Sequence, residues 1–201
     1  MDFTSQLASA IHDIKNRLQF MLPLAEQIAE SEDHSAKEIG EQLRLGLEGL
    51  NSDLVALLGL YKLENKQGVF IREVYVSDML DSCTTFLPKQ FKVTVNCDPE
   101  LTAYFDENLV RSVISDAIHN ATRFADKQIN ISAGALEKGI QFFIEDDGGG
   151  FKLDAESSST GLGMHFAKLL ASAHQNNGQC GEVGISHSRH LGGAKFSLYL
   201  P

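Results

Sequence analysis

The stretch that decides the fold is Ile144-Glu145-Asp146-Asp147-Gly148-Gly149-Gly150-Phe151, with Thr160-Gly161-Leu162-Gly163-Met164 behind it. Ile140 to Ile144 reads as a buried strand that runs into an acid and then a glycine turn. Gly161 and Gly163 open an amphipathic stretch, which predicts a helix from Gly161 to His174. Upstream, Asp116-Ala117-Ile118-His119-Asn120-Ala121 falls on a predicted helix from Asp106 to Phe124.

Each part suits one piece of a magnesium nucleotide. An Asp at the end of a buried strand can accept a hydrogen bond from the exocyclic amine of adenine, and Asp146 has that place. Glycines at 148 and 150 allow φ > 0 and a close approach of backbone to a planar base. Thr160, Gly161, Leu162 and Gly163 lead into a helix whose free N–H groups and dipole favour phosphate oxygens. Asn120 offers a neutral oxygen to Mg2+ bridging those phosphates. Asp116, one turn earlier on the same face, can bind Mg2+ through water, or act catalytically by orienting a water or a proton donor near the γ-phosphate. Arg123 is within reach of phosphates and Phe124 can wall the pocket. Phe151 to Ser159 is small and polar, as a lid over the nucleotide would be. A lone glycine run is usually a turn, and a lone helical Asn is usually a satisfied surface group. Their order in one chain is what favours ATP.

Working outward, the first residues have helical period. Leu7, Ile11, Ile14, Leu18, Met21, Ala25 and Ile28 step by four and three, and Pro23 within that seam predicts a bend. Ser31 to Ser35 reads as a turn. Ile39, Leu43, Leu47, Leu50, Leu54, Leu57 and Tyr61 then mark one face of a second helix, which gives an antiparallel helical hairpin over 1–64. Gly40, Gly46, Gly49 and Gly59 each weaken that helix by roughly 1 kcal/mol relative to Ala. Two helices cannot enclose a core, so a homodimer forming a four-helix bundle is expected. The alternative packs the hairpin on its own C-terminal domain.

Asn65-Lys66-Gln67-Gly68 reads as a linker over 65–68, and 69–201 as a second domain. There, strands are predicted at Val69 to Val76, Phe91 to Asn96, near Ala103, Ile129 to Ala133, Ile140 to Ile144, Gly184 to His187 and Ala194 to Leu200. A helix from Ser77 to Phe86, capped by Ser77, completes the pattern. The fold class is α+β: a helical hairpin followed by a two-layer α/β sandwich on a mixed sheet.

Composition excludes several classes. The chain has 201 residues, 43% of them hydrophobic and 22% charged, as in folded globular proteins. A net charge of −10, from 27 acids against 17 Lys and Arg, provides no basic face for nucleic acid. No apolar run approaches the roughly 18 residues of a membrane span, and no signal peptide opens the chain, so a cytoplasmic protein is expected. Cys83, Cys97 and Cys180 lack metal-type spacing and read as reduced thiols. His34, His119, His165, His174, His187 and His190 show no ligand pattern and read as scattered surface positions.

At this point the chain resembles the ATPase superfamily shared by gyrase, heat-shock chaperone ATPases, mismatch-repair ATPases and bacterial sensor histidine kinases. The kinase signatures occur here in sequence. They are His12-Asp13-Ile14-Lys15-Asn16, Asp116-Ala117-Ile118-His119-Asn120-Ala121, Asp146-Asp147-Gly148-Gly149-Gly150, Thr160-Gly161-Leu162-Gly163 and Gly192-Gly193-Ala194-Lys195-Phe196. The departures are Asp116 where the kinases usually carry Asn, Ser159 where a glycine often stands, and a short lid without an obvious phenylalanine box. Arg17 also replaces a proline common after the phosphorylated His.

The resemblance implies a mechanism. His12 would be the phospho-acceptor, attacking the γ-phosphorus of ATP while Mg2+ spreads the developing charge. Asp13 would hydrogen-bond the second ring nitrogen and fix the tautomer. Asn16, one turn beyond, would orient a water for dephosphorylating a partner. That partner would be a response-regulator receiver domain, whose aspartate takes the phosphoryl group. The signal would come from a separate sensor protein, unless this chain is the core of a longer one. One alternative is a histidine phosphotransfer protein with a degenerate ATPase-like domain that relays phosphate without ATP. Others are a serine kinase of the anti-sigma-factor type, which lacks the histidine-bearing hairpin, and a non-catalytic scaffold that senses nucleotide.

Overall fold

The computed structural model describes residues 14, 18, 21–25, 27–31, 33–85, 87–88, 90–150 and 162–201, apart from 65–68. The chain divides into two compact units, Met1–Glu64 and Asn65–Pro201.

In the first unit, residues 21–25 and 27–29 are helical, with Pro23 inside the first of these runs, and a turn leads into α1 (His34–Glu64). The turn is local chemistry. The Asp33 side chain accepts from the Ser35 N–H at 2.9 Å, occupying a donor that the helix start leaves free. Leu18, Ala25 and Leu47 form a small core, with Leu22 and Leu54 packed against it. Gly40 is more than a weak helix former here: a Cβ on it would run into the backbone of Ala29. Glycine at that position lets two helical backbones touch.

The second unit holds β1 (Arg72–Tyr75), α2 (Val76–Thr84), β2 (Lys92–Asn96), β3 (Thr102–Phe105), α3 (Glu107–Phe124), β4 (Gln128–Ala135), β5 (Ile140–Asp146), α4 (Leu162–Ala173), β6 (Gln175–Asn176), β7 (Gln179–Cys180), β8 (Glu182–His187) and β9 (Ala194–Leu200). Its main sheet has the order β2-β4-β5-β9-β8. β2 and β4 are parallel and the other pairs antiparallel, so the sheet is mixed as expected. α3 packs on β5, and α4 packs on β8 and β9. Ile129, Ile131, Ile140, Phe142, Ile144, Leu198 and Leu200 are buried with Val110, Ile114, Ile118 and Leu170 of those helices. Strict alternation along β5 therefore assigns its even positions to the helical side.

Several boundaries differ from the sequence reading. β1 starts at Arg72 rather than Val69, because the Phe70 N–H is taken by the Asp106 carboxylate at 2.8 Å instead of a strand partner. It ends at Tyr75, and β1 pairs only with the four residues of β3. Helix α2 starts at Val76, and Ser77 is not its cap: its hydroxyl donates to the Pro99 carbonyl at 3.1 Å. The β6–β7 hairpin was not expected, although Asn177-Gly178 carries the strongest short hairpin signal. Both residues adopt positive φ, 48° and 80°.

Candidate nucleotide-binding site

Asp146 closes the even, helix-facing series of β5, so it reaches the sheet end on the buried side and is 5% exposed. Its Oδ1 accepts from the N–H of Gly148 at 3.0 Å and of Ala194 at 3.1 Å. Its carbonyl accepts from the Gly193 N–H at 3.1 Å. Among the described residues no donor bonds Oδ2. A carboxylate with one oxygen pinned and the other open is suited to accept from an external N–H.

The glycines around it have distinct reasons. A Cβ on Gly148 would run into the Phe124 carbonyl, and one on Gly193 into Asp146 itself. Only Gly150 of the first run has the positive φ expected of both 148 and 150, at 75°. The His187 ring lies against Gly150, 2.6 Å from where a Cβ would stand. Asp147 faces a different task. Its carboxylate accepts from the backbone N–H of Asp126, Lys127 and Gln128 at 3.0, 2.9 and 2.9 Å, tying the end of α3 to the glycine turn. Desolvation pushes its pKa up, but the N–H donors of Gln128, Lys127 and Asp126 outweigh this and hold it below the usual carboxylate range.

Helix α3 owes its start to Asp106, whose Oδ1 accepts from the Leu109 N–H at 3.1 Å. Its buried face is Leu109, Val110, Val113, Ile114, Ala117, Ile118 and Ala121. Asp116 and Asn120 stand beside this stripe, with Asn120 Nδ2 donating to Asp116 Oδ2 at 3.4 Å. Gly163, in the first turn of α4, would place a Cβ 2.5 Å from that same Asp116 oxygen. The second glycine run and the Asp116–Asn120 pair are thus brought together. At the end of α3, the Arg123 guanidinium lies 5.6 Å over the Phe124 ring, which is 59% exposed.

These residues surround one end of the sheet: Asp116, Asn120, Arg123 and Phe124 from α3, Asp146, Gly148 and Gly150 after β5, and Leu162 and Gly163 at the start of α4. His12, Asp13, Asn16, Thr160 and Gly161 lie outside the described residues. Among the described residues no group of three or more His, Cys, Asp or Glu is placed to hold a metal ion. The donor set at Asn120 and Asp116 fits Mg2+ that draws its remaining ligands from phosphates and water.

The sequence reading missed four contributors. Glu145 and Ser188 are buried and bonded to each other, and His174 is a buried link rather than a surface histidine. Its Nε2 accepts from the Asp106 N–H at 3.1 Å and its Nδ1 bonds the Leu170 carbonyl at 2.8 Å. Asp106 was visible only as a helix start. Such pairings join residues 43 or 68 positions apart, and no local pattern reports them.

Residues 105–201 match the family described as Histidine kinase-, DNA gyrase B-, and HSP90-like ATPase. That segment contains every described residue of the site. Among curated proteins it is similar to Sensor protein kinase CarS of Pseudomonas aeruginosa, with 24% identity covering 94% of this chain and 44% of CarS. It is also similar to Sensor histidine kinase CpxA of Escherichia coli, with 23% identity covering 97% of this chain and 46% of CpxA. The chain thus spans less than half the length of these relatives. Among solved structures, Acinetobacter baumannii histidine kinase AdeS superposes with a TM-score of 0.60 at 17% identity, covering 94% of this chain and 96% of AdeS. The catalytic domain of histidine kinase ThkA gives 0.56 at 12% identity, covering 66% and 97%. These likenesses establish the fold. The domain is the ATPase catalytic domain of the two-component kinase class.

Proposed function

We propose that this chain is an ATP-dependent protein histidine kinase that phosphorylates His12 and passes the phosphoryl group to an aspartate of a response-regulator receiver domain. The observation that carries this reading is Asp146: a buried carboxylate with Oδ1 held by two backbone N–H groups and Oδ2 without a donor among the described residues, at the mouth of a glycine-lined site. Asp146 would accept from the adenine amine, Gly148 and Gly150 would admit the base, and Phe124 would wall it. Arg123 and the N–H groups of Thr160, Gly161, Leu162 and Gly163 would hold phosphate oxygens. Asn120, with Asp116 through water, would hold Mg2+, which would supply charge neutralisation at the transferring phosphoryl group.

In the transfer, a bond forms between a His12 ring nitrogen and the γ-phosphorus while the bond to the β-bridging oxygen breaks and ADP leaves. Asp13 holds the second ring nitrogen, and Asn16 supports a phosphatase activity toward the phosphorylated partner. Residues 1–64 serve as a dimerisation and phosphotransfer hairpin, 65–68 as a linker and 69–201 as the catalytic domain. Support for the hairpin comes from the Leu18, Ala25, Leu47 core and the Ala29–Gly40 approach. The dimer reading rests on apolar residues left exposed in this unit, including Leu24, Ile39 and Leu50. No helix of the described residues is long and apolar enough to cross a membrane, and a cytoplasmic location and a separate sensor protein belong to the same proposal.

Incubation with γ-labelled Mg-ATP tests it. Acid-labile, alkali-stable label on the native chain, absent from His12→Ala and Asn120→Ala, is the expected result. No label and no ATP binding would sink the kinase reading in favour of a phosphate relay.

A further inference from the structure

The register of the sheet places Asn130, Glu145 and Lys195 in one row across β4, β5 and β9, on the face opposite Asp146. Glu145 is nonetheless only 8% exposed, because the turn between β8 and β9 covers it. Its Oε1 accepts from the Ser188 hydroxyl at 2.9 Å and lies 4.0 Å from Lys195 Nζ; its Oε2 accepts from Asn130 Nδ2 at 3.2 Å. Lys195 is held in turn 3.7 Å over the Phe143 ring. A buried carboxylate costs stability unless its oxygens are satisfied, so this arrangement fixes Glu145 to a single position.

The Ser188 end of that anchor leads directly to the nucleotide site. Ser188 Oγ also accepts from the Leu191 N–H at 2.9 Å. Its carbonyl accepts from the Gly192 N–H at 3.0 Å, and its N–H donates to the Gly193 carbonyl at 2.8 Å. The turn is therefore closed on Ser188. Its far end delivers the Gly193 N–H to the Asp146 carbonyl and the Ala194 N–H to Asp146 Oδ1. The positive φ of Gly192, 91°, allows the chain to reverse at that point.

We infer that Glu145 and Ser188 are positioning residues for adenine selection: they hold the 188–193 turn so that Gly193 and Ala194 lock the Asp146 carboxylate toward the base amine. The inference rests on the reading of Asp146 as the adenine acceptor. Neighbouring residues of one strand thus share the work, with Asp146 facing the ligand and Glu145 setting its rotamer from the other side of the sheet. Selectivity between purines then depends on a hydroxyl that touches no nucleotide.

The test compares binding of ATP and inosine triphosphate, which carries a carbonyl where ATP has the amine, on the full chain with Mg2+. The native chain should prefer ATP by at least about tenfold, the worth of one hydrogen bond to a charged group. Ser188→Ala and Glu145→Ala should each weaken ATP about three- to tenfold and leave inosine triphosphate nearly unchanged. Ser188→Thr, which keeps the hydroxyl, should restore the preference. The double variant should lose no more than either single one, because the two side chains act as a unit. A native preference that survives Ser188→Ala and Glu145→Ala would overturn the inference alone. Equal native affinity for the two nucleotides would overturn the adenine reading and the inference with it. Equal weakening of both nucleotides in the variants, without loss of preference, would show a merely structural role and overturn the inference.

Discussion

Gly193 and Gly148 leave no room for a side chain, since a methyl on either would meet backbone or the Asp146 carboxylate. Gly193→Ala and Gly148→Ala should each lower stability by about 1–3 kcal/mol, as overpacking does. Chemical denaturation will read this directly, and an unchanged midpoint would mean that the clamp is looser than described. Asp147 makes a second prediction at this scale. Its folded pKa lies below the ordinary 3.8. The stabilisation from its backbone bonds is thus complete above about pH 4 and is lost as pH falls through the folded value. Compared with Asp147→Asn, the native chain should hold its advantage at neutral pH and lose it only in strong acid. An advantage that fades between pH 7 and 5 would contradict this origin.

At the scale of elements, helix α3 is fastened where it begins. Asp106 caps it through Leu109, takes the Phe70 N–H on its other oxygen, and donates its own N–H to His174 beyond α4. Burial pushes the His174 pKa below its ordinary 6.5, against opposing pulls from the Leu170 carbonyl and the Asp106 charge. With the folded value depressed, the unfolded chain takes up the proton first. Stability is full above pH 6.5 and falls, by at most about 1.4 kcal/mol per pH unit, as acid is added until the folded value is passed. His174→Gln should remove that slope between pH 6.5 and 5; an identical slope in the variant would assign it elsewhere. The same elements show what a sequence discloses. β5 and α3 were readable as a buried strand and a helix because their signals lie within one continuous segment. β1 was read too long, since the Asp106 carboxylate that claims the Phe70 N–H lies 36 residues away. Of the site, Asp146, Asn120 and the glycines were legible as residue types in order. Glu145, Ser188 and His174 were not, because only the assembled sheet brings their partners to them.

For the whole molecule, the first unit leaves Leu24, Ile39 and Leu50 more than half exposed, at 59%, 59% and 55%. A second copy of the chain is the proposed cover. Sedimentation should then give twice the chain mass, and Leu50→Glu with Ile39→Glu should give the monomer. A native monomer at micromolar concentration would remove the bundle from the account. The second unit bears the central claim, that Asp146 at the end of β5 recognises ATP. The most direct measurement is calorimetric titration of Mg-ATP into the native chain and Asp146→Asn. The amide keeps the carboxylate's shape but can present N–H groups to the adenine amine. The account predicts a loss of roughly 10- to 100-fold in affinity, the worth of a charge-assisted hydrogen bond, with the fold intact by circular dichroism. Equal affinity in the two proteins would contradict it.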